Sequence, residues 1–145
     1  MSNIDVMYSS KEEVWGTPQD FFNELNEEFH FNLDPCALPF NAKCEKYFTP
    51  EDDGLKQDWS GYRVFCNPPY GRKIKYWVEK CYNESKKDNT LVVMLIPART
   101  DTSYFHEFIY HKAKDIRFVK GRLKFKKLDE EKSSPAPFPS MVVVF

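Results

Sequence analysis

The chain has 145 residues, of which 41% are hydrophobic and 17% aromatic, so it can bury a core and is not expected to be disordered. No stretch approaches the ~20 apolar residues of a membrane span. Residues 1–5 also lack the basic and apolar regions of a signal peptide. We therefore expect a cytoplasmic protein with no membrane partner.

The net charge of −1 conceals an uneven distribution along the chain. Residues 1–60 hold 4 Lys/Arg and 13 Asp/Glu, whereas residues 61–145 hold 17 and 9. The basic second half could form a surface for a polyanion, although ordinary solvated helix faces would give the same count. The four cysteines lack the paired spacing of zinc ligands, and we interpret them as reduced thiols without a metal.

One helix and one short strand are expected near the N-terminus. Thr17 is typical of a helix N-cap and Pro18 of the first helical position, and apolar residues follow at helical spacing over 21–29. A short strand is expected over 30–33. The acid that follows it, Asp34, could be a ligand contact or an ordinary helix cap, and the residues alone favour neither.

Strands and helices are expected to alternate in the rest of the chain. The strands are predicted over residues 62–66, 91–96, 116–119, 122–125 and 141–145, and the helices after Gly71 and after Ser103. The strands over 116–119 and 122–125 could form a hairpin around Gly121. We expect one α/β domain over residues 1–145 with a mostly parallel sheet, residues 1–14 loosely ordered and a mobile loop over 127–137.

The segment Asn67–Tyr70, Asn-Pro-Pro-Tyr, follows directly on the strand predicted over 62–66. Each proline fixes its own φ and lacks an N–H donor, so the segment is a stiff loop at the carboxyl end of a strand, where ligands bind in open α/β sheets. The Asn67 oxygen and the Pro68 carbonyl can accept from an exocyclic amine such as that of adenine and turn its lone pair towards a methyl donor. Tyr70 offers a face for a planar group. The alternative interpretation is a tight turn without chemistry.

Further motifs accompany Asn67–Tyr70 in a fixed order. They are Trp15–Pro18, Leu33–Ala37, Tyr47–Thr49, Asp53–Leu55, Gln57–Trp59, Pro97–Thr102 with Phe105-His106, Gly121–Leu123 with Phe125, and Ala136–Ser140. This set resembles the S-adenosylmethionine-dependent amino-methyltransferases, and in particular the small phage and prophage DNA N6-adenine methyltransferases. The resemblance covers about residues 15–145, and the ordered set is far more specific than any one motif.

The resemblance implies a minimal Rossmann-like S-adenosylmethionine methyltransferase sheet, mostly parallel with an antiparallel C-terminal strand. It implies that Asn67, Pro68, Pro69 and Tyr70 are catalytic. The cofactor-binding residues that it implies are Trp15, Thr17, Pro18, Asp34, Pro35, Asp53, Asp58 and Trp59.

Individual cofactor contacts follow from the same resemblance. Thr17 and the helix N-terminus suit the carboxylate of S-adenosylmethionine, and Asp34 suits its ammonium group. An acid of 51–53 would hold the ribose hydroxyls, and these residues alone do not choose among them. Asp58 would accept from the adenine amine, with Trp59 packed nearby.

The activity implied is site-specific methyl transfer to the N6 amine of adenine in DNA, in a bacterial or phage-infected cell. A duplex adenine must first be flipped from the stack. Arg99, Arg122 and Phe138 are the implied DNA and base contacts, with Phe138 stacking on the base or filling the gap in the duplex. No target-recognition domain is recognisable, so sequence reading would come from loops, from a partner chain as in a homodimer, or hardly at all.

Two observations keep other functions open. The glycine-rich loop that follows the first strand of many methyltransferases is absent after Asp34, which favours a non-catalytic methyltransferase-like DNA-binding module. Asn-Pro-Pro-Tyr also occurs in enzymes that methylate RNA bases or protein glutamine. The basic second half favours a nucleic acid over glutamine.

Overall fold

A four-stranded sheet lies at the centre of the fold, and a smaller three-stranded sheet packs beside it. The computed structural model describes residues 14–127 and 133–145. Its elements are β1 (Trp15–Gly16), α1 (Gln19–Phe29), a 3₁₀ turn (Gly54–Lys56), β2 (Arg63–Cys66), α2 (Ile74–Ser85), β3 (Leu91–Pro97), a π-helix (Phe105–Ile109), β4 (Asp115–Phe118), β5 (Lys124–Lys127), β6 (Ser134–Pro135) and β7 (Ser140–Val144).

The central sheet has the strand order β2-β3-β7-β4. β2 and β3 run parallel and are joined by α2, because parallel neighbours need a long crossover. β7 lies between β3 and β4 and is antiparallel to both, with Ser140 opposite Pro97 and Met141 opposite Phe118. On the other side of β2, Leu33 forms an isolated parallel bridge with Val64.

The predicted mostly parallel Rossmann-like sheet is wrong. Among the described strand pairs, β2–β3 is parallel, whereas β3–β7, β4–β7, β1–β5 and β5–β6 are antiparallel. The expected first strand is reduced to single bridges at Leu33 and Asp34, and the antiparallel C-terminal strand lies inside the sheet. The apolar runs of β3 and β7 are buried on both faces, and burial on both faces does not encode strand direction.

The smaller sheet has the order β1-β5-β6 and is antiparallel throughout. The hairpin predicted around Gly121 is therefore wrong, because β4 and β5 belong to different sheets. The loop predicted over 127–137 begins at the last residue of β5 and includes β6, while residues 128–132 lie outside the described residues. Residues 1–13 of the segment expected to be loosely ordered also lie outside them.

The helices lie where the apolar spacing predicts them, but the start of α1 differs. Pro18, with ψ 135°, is the N-cap residue, and no side chain caps the helix. Thr17 is therefore not the N-cap, and its hydroxyl contacts Asn67 instead. The third helix is a π-helix. Within the two described ranges, no helix has both the length and the apolar character needed to cross a bilayer.

Aromatic side chains from both helices pack onto the central sheet. Phe22 of α1 meets Phe65 of β2 edge-to-face at 5.1 Å between ring centroids. Trp77 of α2 stacks on Trp59, which is fully buried. This core fixes one edge of the sheet, which we call the carboxyl edge, where β2 ends before Asn67, β3 ends before Ala98 and β7 begins at Ser140.

We predict that Gly54→Ala destabilises the fold by about 2 kcal/mol, as expected for overpacking. A Cβ at Gly54 would lie 2.1 Å from the Pro35 carbonyl oxygen, which is backbone and cannot move aside cheaply. Urea unfolding measures the change. Lys56→Ala, an exposed change in the same 3₁₀ turn, is the matched control and should cost well under 1 kcal/mol. Equal stabilities of the two variants would contradict the tight Gly54–Pro35 contact.

Candidate active site

A cleft with about 480 Å³ of empty space, part of it open to solvent, lies at the carboxyl edge. It brings together residues from the N-terminal segment, from the irregular segment after Leu33 and from the end of β2. Its lining consists of Val14, Trp15, Gly16, Thr17, Asp34, Cys36, Asn41, Lys43, Phe65, Asn67, Pro68 and Pro69. The predicted residues Trp15, Thr17, Asp34, Asn67, Pro68 and Pro69 therefore share one cleft.

The side-chain amide of Asn67 is held by three hydrogen bonds. Its Nδ2 donates to the Trp15 carbonyl oxygen at 2.5 Å and to Thr17 Oγ1 at 2.8 Å. Its Oδ1 accepts from the Tyr70 hydroxyl at 2.7 Å. A flipped amide would place its oxygen against two acceptors, so the orientation is fixed. Because an amide oxygen has two lone pairs, Oδ1 can accept one further hydrogen bond.

The Tyr70 hydroxyl links the Asn-Pro-Pro-Tyr loop to the central sheet. Its single O–H proton lies between two acceptors, Asn67 Oδ1 at 2.7 Å and the Leu95 carbonyl oxygen of β3 at 3.1 Å, and is shared between them. Burial raises the pKa of Tyr70 well above its usual value, so the phenol stays protonated and keeps donating. The carbonyl of Pro68 accepts no hydrogen bond from the described residues and is left for a ligand.

An aromatic cluster covers the ring of Tyr70. Phe125 of β5 and Phe138 meet it edge-to-face at 6.4 and 5.6 Å, and Trp15 meets Phe138 at 5.2 Å. Tyr70 is only 6% exposed as a result. The flat face that the sequence suggested for stacking is therefore covered by β5 and by the segment around Phe138.

Asp34 is a buried carboxylate in the wall of the cleft. Its oxygens accept from the backbone N–H groups of Lys43, at 3.0 Å, and Cys36, at 3.3 Å. Burial nevertheless raises the pKa of Asp34 to about 7, because these two hydrogen bonds offset only part of the lost hydration. A buried carboxylate with this pKa, beside open space, suits a positively charged ligand group.

A second, smaller groove of about 200 Å³ adjoins the cleft and shares Cys36 and Pro69 with it. The remaining lining residues are Pro35, Phe48, Thr49, Pro50, Gly54 and Trp77. These walls are mainly flat and apolar, which suits a planar ring. The two spaces together form a continuous lining from Asp34 to Trp77.

Comparison with known proteins identifies the family. The family described as DNA N-6-adenine-methyltransferase (Dam) matches residues 6–145. The chain belongs to the Dam family. It is similar to the DNA N-6-adenine-methyltransferase of Haemophilus phage HP1 (strain HP1c1), with 31% identity over 94% of this chain and 80% of that protein. It is also similar to that of Escherichia phage T1, with 33% identity over 66% of this chain and 40% of that protein.

The predicted family is confirmed, and with it an enzyme of the DNA adenine-N6 methyltransferase class. In this Dam-family methyltransferase, Pro35 lines the smaller groove and Pro18 lies next to Thr17 at the start of α1. Asp53 is next to Gly54 of that groove, and its carboxylate accepts from the Leu55 N–H at 3.2 Å.

Four predicted cofactor residues line neither space, namely Pro18, Asp53, Asp58 and Trp59. Asp58 is exposed, and its carboxylate accepts from Ser60 and pairs with Lys87 at 2.9 Å, which lowers its pKa. Trp59 is fully buried and donates from Nε1 to the Gly54 carbonyl oxygen at 3.0 Å. Trp59 therefore supports the smaller groove from beneath.

The predicted DNA contacts fall into two groups. Arg99, just after β3, and Arg122, just before β5, are exposed. Phe138 is 8% exposed and belongs to the aromatic cluster over Tyr70. The arginines are therefore presented to solvent, whereas Phe138 is not.

Sequence reasoning missed several lining residues. Phe48 and Thr49 lay in a stretch that matched the family, but no role was assigned to them. Trp77 was assigned to the core face of α2 because of its spacing. Asn41 and Lys43 carried no motif, and only the folded chain brings them to Asp34.

We predict that Thr17→Val lowers kcat by about 10- to 100-fold, because the valine cannot accept from Asn67 and the amide loses its fixed position. Calorimetric affinity for S-adenosylmethionine should change less than about threefold. Thr17→Ser keeps the acceptor and should restore most of the rate. A loss of affinity as large as the loss of rate would instead indicate that Thr17 contacts the cofactor directly.

Proposed function

We propose that this chain transfers a methyl group from S-adenosylmethionine to the N6 amine of adenine in DNA, with Asn67–Tyr70 as the catalytic loop. The observation that carries the proposal is the locked Asn67 amide, which keeps one acceptor position on Oδ1 in the same cleft as the buried Asp34. The acceptor suits an amine, and the carboxylate suits a cation.

The lining of the two spaces fits S-adenosylmethionine. The cofactor carries an ammonium group, a carboxylate and an adenosine ring system, and when bound it supplies an electrophilic methyl group. Asp34 would hold the ammonium group, and the backbone of the segment Trp15–Pro18 would hold the methionine carboxylate, while the Thr17 hydroxyl stays on Asn67. Phe48, Pro69 and Trp77 would enclose the adenine ring, with Asp53 next to the ribose. We leave Asp58 out of this site because Lys87 and Ser60 already engage its carboxylate.

The N6 amine of adenine is a poor nucleophile, because its lone pair is delocalised into the ring. Asn67 Oδ1 and the Pro68 carbonyl would accept its two hydrogens and favour a pyramidal nitrogen, whose lone pair is then available for methyl transfer. Two prolines and the hydrogen bonds to Thr17 and Tyr70 hold these acceptors in place, so little reorganisation is needed during the reaction. The proton can leave after transfer.

The target base must displace part of the aromatic cluster. Phe125 and Phe138 cover Tyr70, so a flipped adenine can stack on Tyr70 only when one of them moves aside. Both belong to the part of the chain that forms the smaller sheet, which packs on the Asn-Pro-Pro-Tyr loop through Trp15. Base entry would therefore be coupled to movement of this sheet.

Transfer of labelled methyl groups tests the proposed function. The protein is incubated with labelled S-adenosylmethionine and DNA lacking methyladenine, and the digested nucleosides are separated. We expect label in N6-methyladenine for the unmodified chain and a loss of at least about 1,000-fold for Asn67→Ala, with cofactor affinity nearly unchanged.

Asn83→Ala is the matched control, since Asn83 is an exposed asparagine of α2. It should leave transfer unchanged. Absence of label in DNA from folded, cofactor-binding protein would contradict the proposed function. Label in RNA or protein glutamine, measured in competition, would assign the same chemistry to another substrate.

We also predict that affinity for S-adenosylmethionine rises with pH between 5.5 and 7.5. Because the pKa of Asp34 is raised to about 7, its carboxyl is neutral below pH 6 and charged above pH 8. The ligand's ammonium group is fully charged below pH 6.5 and begins to lose its proton above pH 7, since α-amino groups titrate near 7.7–8.0. Affinity should therefore rise roughly tenfold per pH unit below pH 6.5, reach a maximum near pH 7.5 and fall above pH 8, with up to one proton released on binding below the maximum.

Calorimetry in buffers of different ionisation enthalpy measures both the affinity and the released proton. Asp34→Asn should bind weakly, with a flat profile. It should still fold at pH 8, because ionisation of the native Asp34 destabilises the folded state as pH rises through 7, and the variant has no such charge. Asp88→Asn, an exposed change, is the control. A pH-dependent affinity that survives in Asp34→Asn would contradict the assignment.

A further inference from the structure

We propose that Phe118 enters the DNA duplex and fills the gap that the flipped adenine leaves. The inference rests on the proposed function, and it concerns how the duplex is held rather than how the methyl group is transferred. It replaces Phe138 in the gap-filling role that the sequence suggested.

Phe118 is the aromatic residue that the central sheet presents to solvent. It is 63% exposed, whereas Phe138 is 8% exposed and packs between Trp15 and Tyr70. Among the described residues, no other ring contacts Phe118 within the distances of an aromatic pair. Water thus covers a large apolar side chain that the fold leaves without an aromatic partner.

Phe118 lies at the carboxyl edge, together with the proposed active site. It is the last residue of β4 and lies opposite Met141 of β7. The neighbouring residue of β7, Ser140, lies opposite Pro97, the last residue of β3. Phe118 is therefore level with the end of β3. β4 is three strands from β2, which is about 14 Å at the usual strand spacing. This is close to the ~12 Å width of the major groove, so one duplex can contact both places.

The segment around Phe118 is positively charged, as expected for a surface that binds a polyanion. Residues 116–127 contain six Lys/Arg and no Asp/Glu. Arg117 is engaged with Glu28 and Asp115 near α1, and successive strand residues point to opposite faces, so Phe118 faces away from that ion pair. Lys120, Arg122 and Lys124 follow it and are exposed. An exposed ring bordered by exposed cations is the pattern expected where phosphates flank an opened base step.

The chemistry needs a group of this kind. Flipping removes one base from the stack at a cost in stacking free energy, and an apolar side chain between the neighbouring bases offsets part of that cost. A phenylalanine ring stacks without selecting the base. Phe118 would therefore promote flipping without setting the recognised sequence, and single-stranded DNA, which needs no flipping, would not require it.

A comparison of native and heat-denatured DNA tests the proposal. Phe118→Ala should lower methyl transfer to native DNA by about tenfold or more, and to denatured DNA by less than about twofold. Tyr110→Ala is the matched control, because Tyr110 is also an exposed aromatic residue and lies on the segment before β4 begins. It should change neither rate. Equal losses on both substrates, or no loss on native DNA, would overturn the proposal.

A fluorescence measurement tests, without reference to methyl transfer, whether the side chain at position 118 enters the duplex. The native tryptophans are buried, so in Phe118→Trp the new indole is the exposed emitter. Binding of duplex DNA should quench it and protect it from acrylamide, whereas Tyr110→Trp should remain accessible. An indole that stays accessible in the complex would overturn the proposal. The proposal would also be overturned if the unmodified chain formed a dimer that Phe118→Ala abolished while DNA binding and methyl transfer stayed unchanged. Phe118 would then contact a second copy of the chain.

Failure of the proposed function is distinguishable from failure of this inference. If the unmodified chain methylates no DNA, the proposed function is contradicted, and the indole measurement with duplex DNA still decides the position of Phe118. If the unmodified chain methylates native DNA and Phe118→Ala does so equally well, only the role of Phe118 is wrong.

Discussion

The side chain of Asn67 links its own loop directly to the distant segment 15–17 and, through Tyr70, to β3. The Trp15 carbonyl and the Thr17 hydroxyl hold its nitrogen, and the Tyr70 hydroxyl, itself bonded to β3, holds its oxygen. Because Trp15 belongs to β1, the smaller sheet is tied to the Asn-Pro-Pro-Tyr loop through the same amide. An amide constrained on both sides can act as an acceptor of fixed direction, and the cleft is arranged around it.

The buried Asp34 is the second constraint, and it lies where many methyltransferases have a glycine-rich loop after the first strand, which this chain lacks. Close approach of the backbone at this point comes from Gly54, whose Cα lies against the Pro35 carbonyl where a Cβ would collide. Trp59 and Glu84 support that contact, through Trp59 Nε1 to the Gly54 carbonyl and the Trp59 N–H to Glu84 Oε1. The cost of burying the Asp34 charge appears as its raised pKa.

Much of the fold was accessible from local patterns. The apolar runs predicted β2, β3 and β7, and the helical spacing predicted α1 and α2, because burial of one face or both leaves a direct record in the residues. Strand direction and order were not accessible in the same way. The buried strand β7 has the same composition whether it is added at the edge or inserted between β3 and β4, because burial on both faces does not record which strands lie beside it.

For the site, the sequence by itself determined the chemistry. Asn-Pro-Pro-Tyr after an apolar strand is a rigid pair of acceptors, and the ordered motifs indicated the family that the comparisons confirm. Tertiary structure decided which residues share the cleft. It brought Lys43 to Asp34 and Trp77 to the smaller groove, left Asp58 paired with Lys87, and buried Phe138 while exposing Phe118. Residue type and spacing predict the chemical groups that a side chain offers and the local element in which it lies. Its burial and its neighbours depend on contacts between segments far apart in the chain.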